Sequence, residues 1–167
     1  MSAPMDPRVI APSETFRINT KLFRNCLHDM TAEQAQSRPG TLGNSAIWVA
    51  VHMTTARFEL LKRLGAAVAN PLPAAVTTAK SIDDVKAWPS LDDVRSAWGA
   101  AAHALRDRLA AMTAADLNAA VEVRFPVFEQ TVFGVLVFLT QHETYHLGQL
   151  SLLRKQAGLP AMSYREP

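Results

Sequence analysis

The chain has 167 residues, of which 49% are hydrophobic and 19% charged, and its formal charge at pH 7 is +2. This composition excludes a disordered chain and a fibrous repeat, and the scattered lysines and arginines do not predict a nucleic-acid partner. The single cysteine, Cys26, excludes an internal disulfide bond and favours a reducing compartment. The longest apolar stretch, 132–139, is too short to span a membrane, and residues 1–16 show no signal-peptide pattern. We therefore expect one cytoplasmic domain over residues 1–167, without a membrane or nucleic-acid partner.

Two long helices are predicted in the first half of the chain. The first begins near Ser13, a residue type that often caps a helix, and its apolar positions continue to about residue 30. A capping-box pattern at 31–34 predicts a short turn before Pro39 and Gly40 stop it. The second helix is predicted from Asn44 or Ser45 to Gly65, a residue typical of a helix end.

The middle of the chain contains one further long helix between irregular segments. Residues 66–79 include two prolines and predict a connecting loop. Ser90 followed by two acidic residues is a typical helix start, and apolar spacing extends the helix to about residue 112. Residues 113–116 predict a short capped turn. The alternation of apolar and polar residues at 121–125 predicts a brief strand or an extended segment.

The last long helix is predicted over residues 131–157. Its first part is rich in valine and phenylalanine, as in a buried strand, but apolar positions continue at helical spacing until Gly158 and Pro160 end it. The chain thus contains four long helices in one small domain. This pattern predicts an all-α fold of the four-helix-bundle type.

The most informative motif is His142-Glu-Thr-Tyr-His146 in this last helix. Two histidines four residues apart lie on one face of a helix and can bind one transition-metal ion. Five histidines placed at random would give such a pair about one time in ten, so the spacing alone is modest evidence. The motif also matches the H-E-x-x-H helix of zinc proteases, in which the glutamate is the general base. A protease needs a further ligand downstream, yet no histidine follows and the only acid is Glu166, beyond the helix stop. We therefore predict a metal site without protease activity.

Three other histidines are candidates for a third metal ligand. His52 flanks the apolar face of the second helix, from which it could point between helices, and it is the preferred candidate. His103 lies among alanines and could also reach inward. His28 lies beside Asp29 near a helix end, where we expect a surface residue. Sequence spacing does not choose among them, because they lie on different helices.

Two segments of the chain resemble the DinB-like family of metal-binding four-helix bundles. These are Asn44-Ser-Ala-Ile-Trp-Val-Ala-Val-His52 and the stretch from His142 through Gly148-Gln149 and Arg154 to Gly158-Leu-Pro160. The resemblance implies one divalent metal ion bound by His52, His142 and His146. It also implies a homodimer. Family members include thiol-dependent S-transferases and a mycothiol-dependent maleylpyruvate isomerase, and many others are described only as metal-dependent hydrolases.

These features lead to a hypothesis about function. Three neutral imidazoles leave a divalent ion its full charge and open positions, which suits activation of a low-molecular-weight thiol as thiolate for attack on a small electrophile. The alternatives are a hydrolase with metal-bound hydroxide and a non-catalytic metal- or ligand-binding stress module. Imidazole ligands suit zinc, nickel, manganese or iron, so the metal is not identified.

Further residues of the last helix are candidates for roles beside the metal. Glu143, Tyr145 and Gln149 are the candidate catalytic residues. For Glu143, a solvated helix position or a hydrogen bond to a ligand is favoured over a role as general base. Arg154 is expected to interact with the end of a helix as readily as with an anion. Cys26 is expected to be a small buried hydrophobic residue.

Overall fold

The computed structural model describes residues 6–40, 43–66 and 68–165. Within these residues, the α-helices are α1 (Ile10–Leu27), α2 (Ala32–Gln36), α3 (Ala46–Arg63), α4 (Ala74–Thr77), α5 (Leu91–Ala110), α6 (Ala114–Asn118) and α7 (Val132–Gln156). Two 3-10 turns, Pro7–Val9 and Ile82–Asp84, complete the regular structure of this part.

The four long helices α1, α3, α5 and α7 pack as a ring, and the all-α prediction is confirmed. Around the ring, α1 contacts α7, α7 contacts α3, α3 contacts α5, and α5 contacts α1. Consecutive long helices α1 and α3 therefore lie diagonally across the bundle, as do α5 and α7. One continuous core of aliphatic and aromatic side chains fills the space between them. No helix in the described part of the chain is long and apolar enough to cross a membrane.

Local capping residues set most of the helix ends, as predicted. The side chains of Ser45, Ser90 and Thr131 each accept a hydrogen bond from a backbone N–H in the first turn of α3, α5 and α7. Gly65 follows α3 with a φ of +78°, a left-handed conformation that glycine adopts without the steric penalty of a Cβ atom. Gly158 follows α7 in the same way, with a φ of +79°.

The start of α1 differs from the prediction. Asp6 caps the 3-10 turn Pro7–Val9, which continues directly into α1, so the helix begins at Ile10 and not near Ser13. Pro12 is tolerated because it lies in the first helical turn, where backbone N–H groups have no helical acceptor. The Ser13 hydroxyl is buried inside α1 and has no hydrogen-bond partner among the described residues. The predicted end at residue 30 is also late, because α1 ends at Leu27.

The segment predicted as a strand or extended segment is irregular. Its only bridge within the described residues is an isolated antiparallel one between Ala120 and Thr131. The side-chain amide of Gln130 stabilises a turn after this segment by donating hydrogen bonds to the carbonyls of Phe125 and Val127, at 2.9 and 2.6 Å. The predicted loop at 66–79 contains the short helix α4, which places Val76 in the core.

Arg154 joins the end of α7 to the end of α1. Its buried guanidinium donates to the carbonyls of Cys26 and His28, at the carboxyl end of α1, and to that of Pro160 at 2.7 Å. The expectation that Arg154 interacts with a helix end is confirmed, but the helix end that it contacts is that of α1 and not that of its own helix. This contact helps to fix α7, which carries two histidines, against its neighbour in the bundle.

Candidate metal centre

His52, His142 and His146 meet between α3 and α7 and are called here the three-histidine site. His142 and His146 lie one turn apart on the same face of α7. His52 projects from α3, the helix that packs against this face of α7. The ligand atoms of all three residues lie within 4.8 Å of one another, the only such group of histidine, cysteine or acidic residues in the described ranges. The structure thus selects His52 from the three candidates.

The distances within the three-histidine site fit a metal ion. The Nε2 atom of His142 lies 3.1 Å from that of His146 and 3.4 Å from that of His52. Two nitrogens bound at 2.0–2.1 Å to a tetrahedral zinc ion would lie about 3.3 Å apart. The nitrogen atoms are therefore already separated as a small divalent cation requires. Without a bound cation this convergence of nitrogen atoms is unfavourable, because at most one proton can lie between each pair of nitrogens.

The site also favours neutral imidazoles. Burial, followed by the neighbouring His146 and His142 rings, lowers the pKa of His52 from its usual 6.5 to about 4. Burial and His146 also lower the pKa of His142. Both rings are therefore unprotonated at pH 7, which is the form that binds metal ions.

Gln149 sets the orientation of one ring. Its Oε1 atom lies 2.7 Å from Nδ1 of His146, so the imidazole Nδ1–H donates to it and the Nε2 lone pair faces the other two histidines. The Gln149 amide in turn donates to the Tyr145 hydroxyl at 3.2 Å. Tyr145, one of the candidate catalytic residues, is 58% exposed beside the site. Gln149 thus contacts the ring of one of the three candidate ligands.

Glu143 is not solvated, contrary to the favoured prediction, and it does not contact the three histidines. Its carboxylate is buried and accepts two hydrogen bonds from Arg57 of α3, at 2.6 Å from Nε and 2.7 Å from Nη2. The Glu143 side chain is only 6% exposed and the Arg57 side chain only 1%. The apolar spacing of α7 turns this residue toward the bundle core, one position after His142. Its carboxylate oxygens are both engaged by Arg57 and do not face the three histidines as a general base would.

The Arg57–Glu143 ion pair lies at the centre of the bundle. Arg57 also donates to the Thr20 hydroxyl at 2.8 Å and to the Phe16 carbonyl at 3.0 Å, both on α1. Its guanidinium lies 3.6 Å from the ring centre of Trp98 on α5. One side chain therefore contacts all four long helices.

Sequence reasoning did not identify Arg57, although a signal was present. Arg57 lies on the apolar face of α3, one turn from Met53 and one turn from Leu61. A cation at such a position requires a buried partner, because an unpaired buried charge is costly. The only acid in α7 is Glu143, which identifies the partner once the packing of α3 on α7 is known.

The other two histidines lie away from the three-histidine site. The His103 side chain is 69% exposed on α5 and contacts Arg106 and Asp107, so it does not reach inward. His28 is a surface residue, as predicted, and lies 3.1 Å from an oxygen of Asp29. Cys26 is fully buried, also as predicted, and burial raises its pKa to about 12. Glu166 lies outside the described residues.

Aromatic side chains adjoin the three-histidine site. Its three candidate ligands are all imidazoles, and none is a carboxylate. The Phe138 ring lies 5.8 Å from that of His142 and 5.6 Å from that of Phe125. A small cavity of about 50 Å³ adjoins His52 and is lined by Trp48, Thr55 and residues of and after α4. A divalent ion held by three neutral imidazoles would keep its full charge, which favours an anionic further ligand.

Comparison with known proteins agrees with this geometry. A model of the DinB superfamily matches residues 15–150, a range that contains all three histidines and both members of the Arg57–Glu143 ion pair. No curated protein matches the chain. Since the matched range covers most of the 167 residues, the chain belongs to the DinB superfamily.

Proposed function

We propose that this protein is a metal-dependent transferase that activates a low-molecular-weight thiol for attack on a small electrophile. The observation that carries the proposal is the three-histidine site, in which the side chains of His52, His142 and His146 converge between α3 and α7. A divalent metal bound there would supply Lewis acidity, which lowers the pKa of a thiol or of water. The three histidines would bind and orient the ion, while Gln149 keeps the Nε2 lone pair of His146 turned toward the other two rings.

The surroundings of the site favour thiol transfer over hydrolysis. A thiol has a pKa of about 8.5 and loses its proton outright on binding a metal ion, so its activation needs no protein base. Hydrolysis of an amide needs an acid for the leaving nitrogen, and the nearest carboxyl group, Glu143, is held by Arg57. The phenyl rings of Phe138 and Phe125 would support an apolar electrophile. Hydrolysis of activated small esters is the alternative, and a non-catalytic metal-binding module is the third candidate.

The first experiment is a paired measurement of metal content and activity. Protein purified without an affinity tag is loaded with zinc, nickel, manganese or ferrous ions, and bound metal is measured by mass spectrometry. Activity is then measured with monobromobimane as electrophile and cysteine, N-acetylcysteine or glutathione as thiol, and with 4-nitrophenyl acetate in the absence of thiol. The proposal expects about one metal ion per chain and a metal-dependent rate only where thiol is present.

Two variants make this experiment decisive. His52→Ala should reduce metal affinity by at least about 100-fold, because one of three ligands is lost. His103→Ala is the matched control, an exposed histidine on α5 that should leave metal content unchanged. Ester hydrolysis without thiol would contradict the transferase and support the hydrolase. Bound metal without either activity would support the binding module, and equal metal content in both variants would contradict the site.

The resemblance also motivates two proposals about the state of the protein in the cell. We propose a homodimer, which sedimentation equilibrium would test directly by mass. We also propose a cytoplasmic location, because a reducing compartment maintains low-molecular-weight thiols, and cell fractionation would test it. A monomeric mass at micromolar concentration, or recovery from an oxidising compartment, would contradict the respective proposal.

A further inference from the structure

An open groove lies between α1 and α5, on the side of the ring opposite the three-histidine site. It has a volume of about 660 Å³. The two helices run antiparallel, since Arg95 near the start of α5 donates to the Leu27 carbonyl at the end of α1, at 2.5 Å. The α1–α5 groove therefore has an end near Ile10 and Leu109 and an end near Arg24 and Gly99.

Small residues on α5 create the groove. Gly99 and Ala102 face α1 where larger side chains would fill the space between the helices. The floor below them consists of Phe16, Leu105 and Leu109, which are almost fully buried, and Thr20 and the ion-paired Arg57 also line the groove. Ile10, at one end, is 54% exposed. The accessible lining of the groove is more apolar than polar, so it offers apolar surface to a ligand.

The charged residues around the groove are predominantly cationic. Arg17, Arg24 and Arg106 line it together with Arg57, which Glu143 already neutralises, and Glu14 is the one acid among its lining residues. Arg17 neutralises Glu14 through two hydrogen bonds of 2.6 and 2.7 Å. Arg106 is held by Asp107, at 2.8 and 2.9 Å. The acids near the groove are therefore already paired.

Arg24 has no hydrogen-bond or ion-pair partner within the part of the chain that the structure describes. Its Nη2 atom extends over Gly99, where it would be 3.4 Å from a Cβ atom placed on that glycine. The groove thus carries an unpaired guanidinium at one end and an exposed aliphatic side chain, Ile10, at the other. Ile10 and Arg24 are fourteen positions apart in sequence, which corresponds to about 21 Å along the axis of α1. This separation of charge from apolar surface matches an extended molecule with one anionic end.

We propose that the α1–α5 groove binds a free fatty acid. The hydrocarbon chain would cover the apolar floor toward Ile10, and the carboxylate would accept hydrogen bonds from Arg24, whose planar guanidinium matches a carboxylate in geometry. A cationic amphiphile would be repelled by the unpaired guanidinium of Arg24, because the two groups carry the same sign of charge. This site is separate from the three-histidine site and does not depend on bound metal.

Isothermal titration calorimetry with sodium dodecanoate below its micelle concentration tests the proposal. Dodecanoate should bind one site per chain, while 1-dodecanol and dodecyltrimethylammonium should bind at least about tenfold more weakly because they lack the carboxylate. Arg24→Gln should weaken dodecanoate binding about tenfold, and Ala102→Phe should abolish it by filling the floor. Arg63→Gln and Ala100→Phe are matched exposed controls on α3 and α5, and should bind as the parent does.

Metal content and circular dichroism are measured on every variant, so that loss of fold is distinguished from loss of the groove. Equal affinity for dodecanol, or dodecanoate binding that neither Arg24→Gln nor Ala102→Phe weakens, would overturn the proposal. Absence of dodecanoate binding would overturn it as well. If sedimentation then showed self-association that Ala102→Phe abolished, the groove would be an interface between copies of this chain.

Discussion

At the scale of single residues, the Gln149 amide orients one ring of the three-histidine site. It accepts a hydrogen bond from Nδ1 of His146 at 2.7 Å and donates to the Tyr145 hydroxyl at 3.2 Å. Such partners fix which imidazole nitrogen carries the proton and where the ring points. The role follows from the position of Gln149 three residues after His146, where the two side chains are neighbours on a helix.

Gln149→Leu is predicted to lower metal affinity by about 10- to 100-fold, because the ring of His146 loses the acceptor that fixes its orientation. Competition with a chromogenic chelator measures the affinity. Gln141→Leu, an exposed glutamine of the same helix, is the matched control and should bind as the parent does. Gln149→Glu keeps an acceptor oxygen and should retain most of the affinity. Unchanged binding in Gln149→Leu would mean that this hydrogen bond does not support the site.

Cys26 is predicted to be chemically silent in the folded protein. Burial raises its pKa to about 12, so at pH 8 the thiol remains protonated and unreactive. Labelling with 5,5′-dithiobis(2-nitrobenzoate) at pH 8 should therefore follow global unfolding in urea. Because the pKa is raised in the folded state, the unfolded chain loses this proton first, and stability should fall as the pH rises above about 9. Rapid labelling of the native protein would contradict this account.

At the scale of the helix, short-range hydrogen bonds account for the ends that were predicted correctly. Ser90 accepts from the backbone of Asp93 at 3.0 Å, and the Asp93 carboxylate accepts from the backbone of Ser90 at 3.2 Å. Both partners are three residues apart in sequence, so the pattern is visible without tertiary structure. The predicted start of α1 near Ser13 was wrong, because Asp6 and the 3-10 turn after it begin the helical segment earlier.

Ser90→Ala is predicted to destabilise the protein by about 1 kcal/mol, because the first turn of α5 loses the acceptor for a backbone N–H. Ser96→Ala, at an exposed interior position of the same helix, is the control and should be neutral or slightly stabilising. Urea unfolding followed by circular dichroism measures both. An equal effect of the two substitutions would show that the cap contributes no stability beyond helix propensity.

At the scale of the whole molecule, the Arg57–Glu143 ion pair connects the face of α7 that carries the three-histidine site to the rest of the bundle. Arg57 contacts α1, α5 and α7 from its position on α3. Glu143 lies next to His142, so the same interaction fixes the helix that supplies two of the three histidines. A buried pair of this kind contributes little net stability by itself, but removal of one member leaves the other charge without a partner.

Arg57→Met is predicted to destabilise the protein by about 3–5 kcal/mol, since the Glu143 carboxylate would remain buried and unpaired. The double substitution Arg57→Met with Glu143→Leu should be less destabilised than Arg57→Met alone. Arg63→Met, on the exposed end of α3, should change stability by less than about 0.5 kcal/mol. Urea unfolding at pH 7 measures these three variants and the single substitution Glu143→Leu. If the double variant were as unstable as the sum of its single substitutions, the two residues would act independently and the coupling would be absent.

The sequence by itself determined the features that depend on neighbours along the chain. Helical spacing predicted α3, α5 and α7, capping residues predicted where α3 and α5 begin, and the four-residue spacing of His142 and His146 predicted a shared helix face. Two segments that match a family pattern indicated His52 as the third ligand. These signals are readable because the interacting groups lie within one or two helical turns of each other.

Only the tertiary structure decided what depends on groups far apart in the chain. It separated His52 from His103, because the choice rests on which helix packs against α7. It moved Glu143 from the expected solvated position to a buried one, because its partner Arg57 lies 86 residues away. It also revealed the α1–α5 groove, which exists where the small side chains of one helix face another. Periodicity along a chain shows which face of a helix is apolar, but the neighbour that covers this face follows from packing alone.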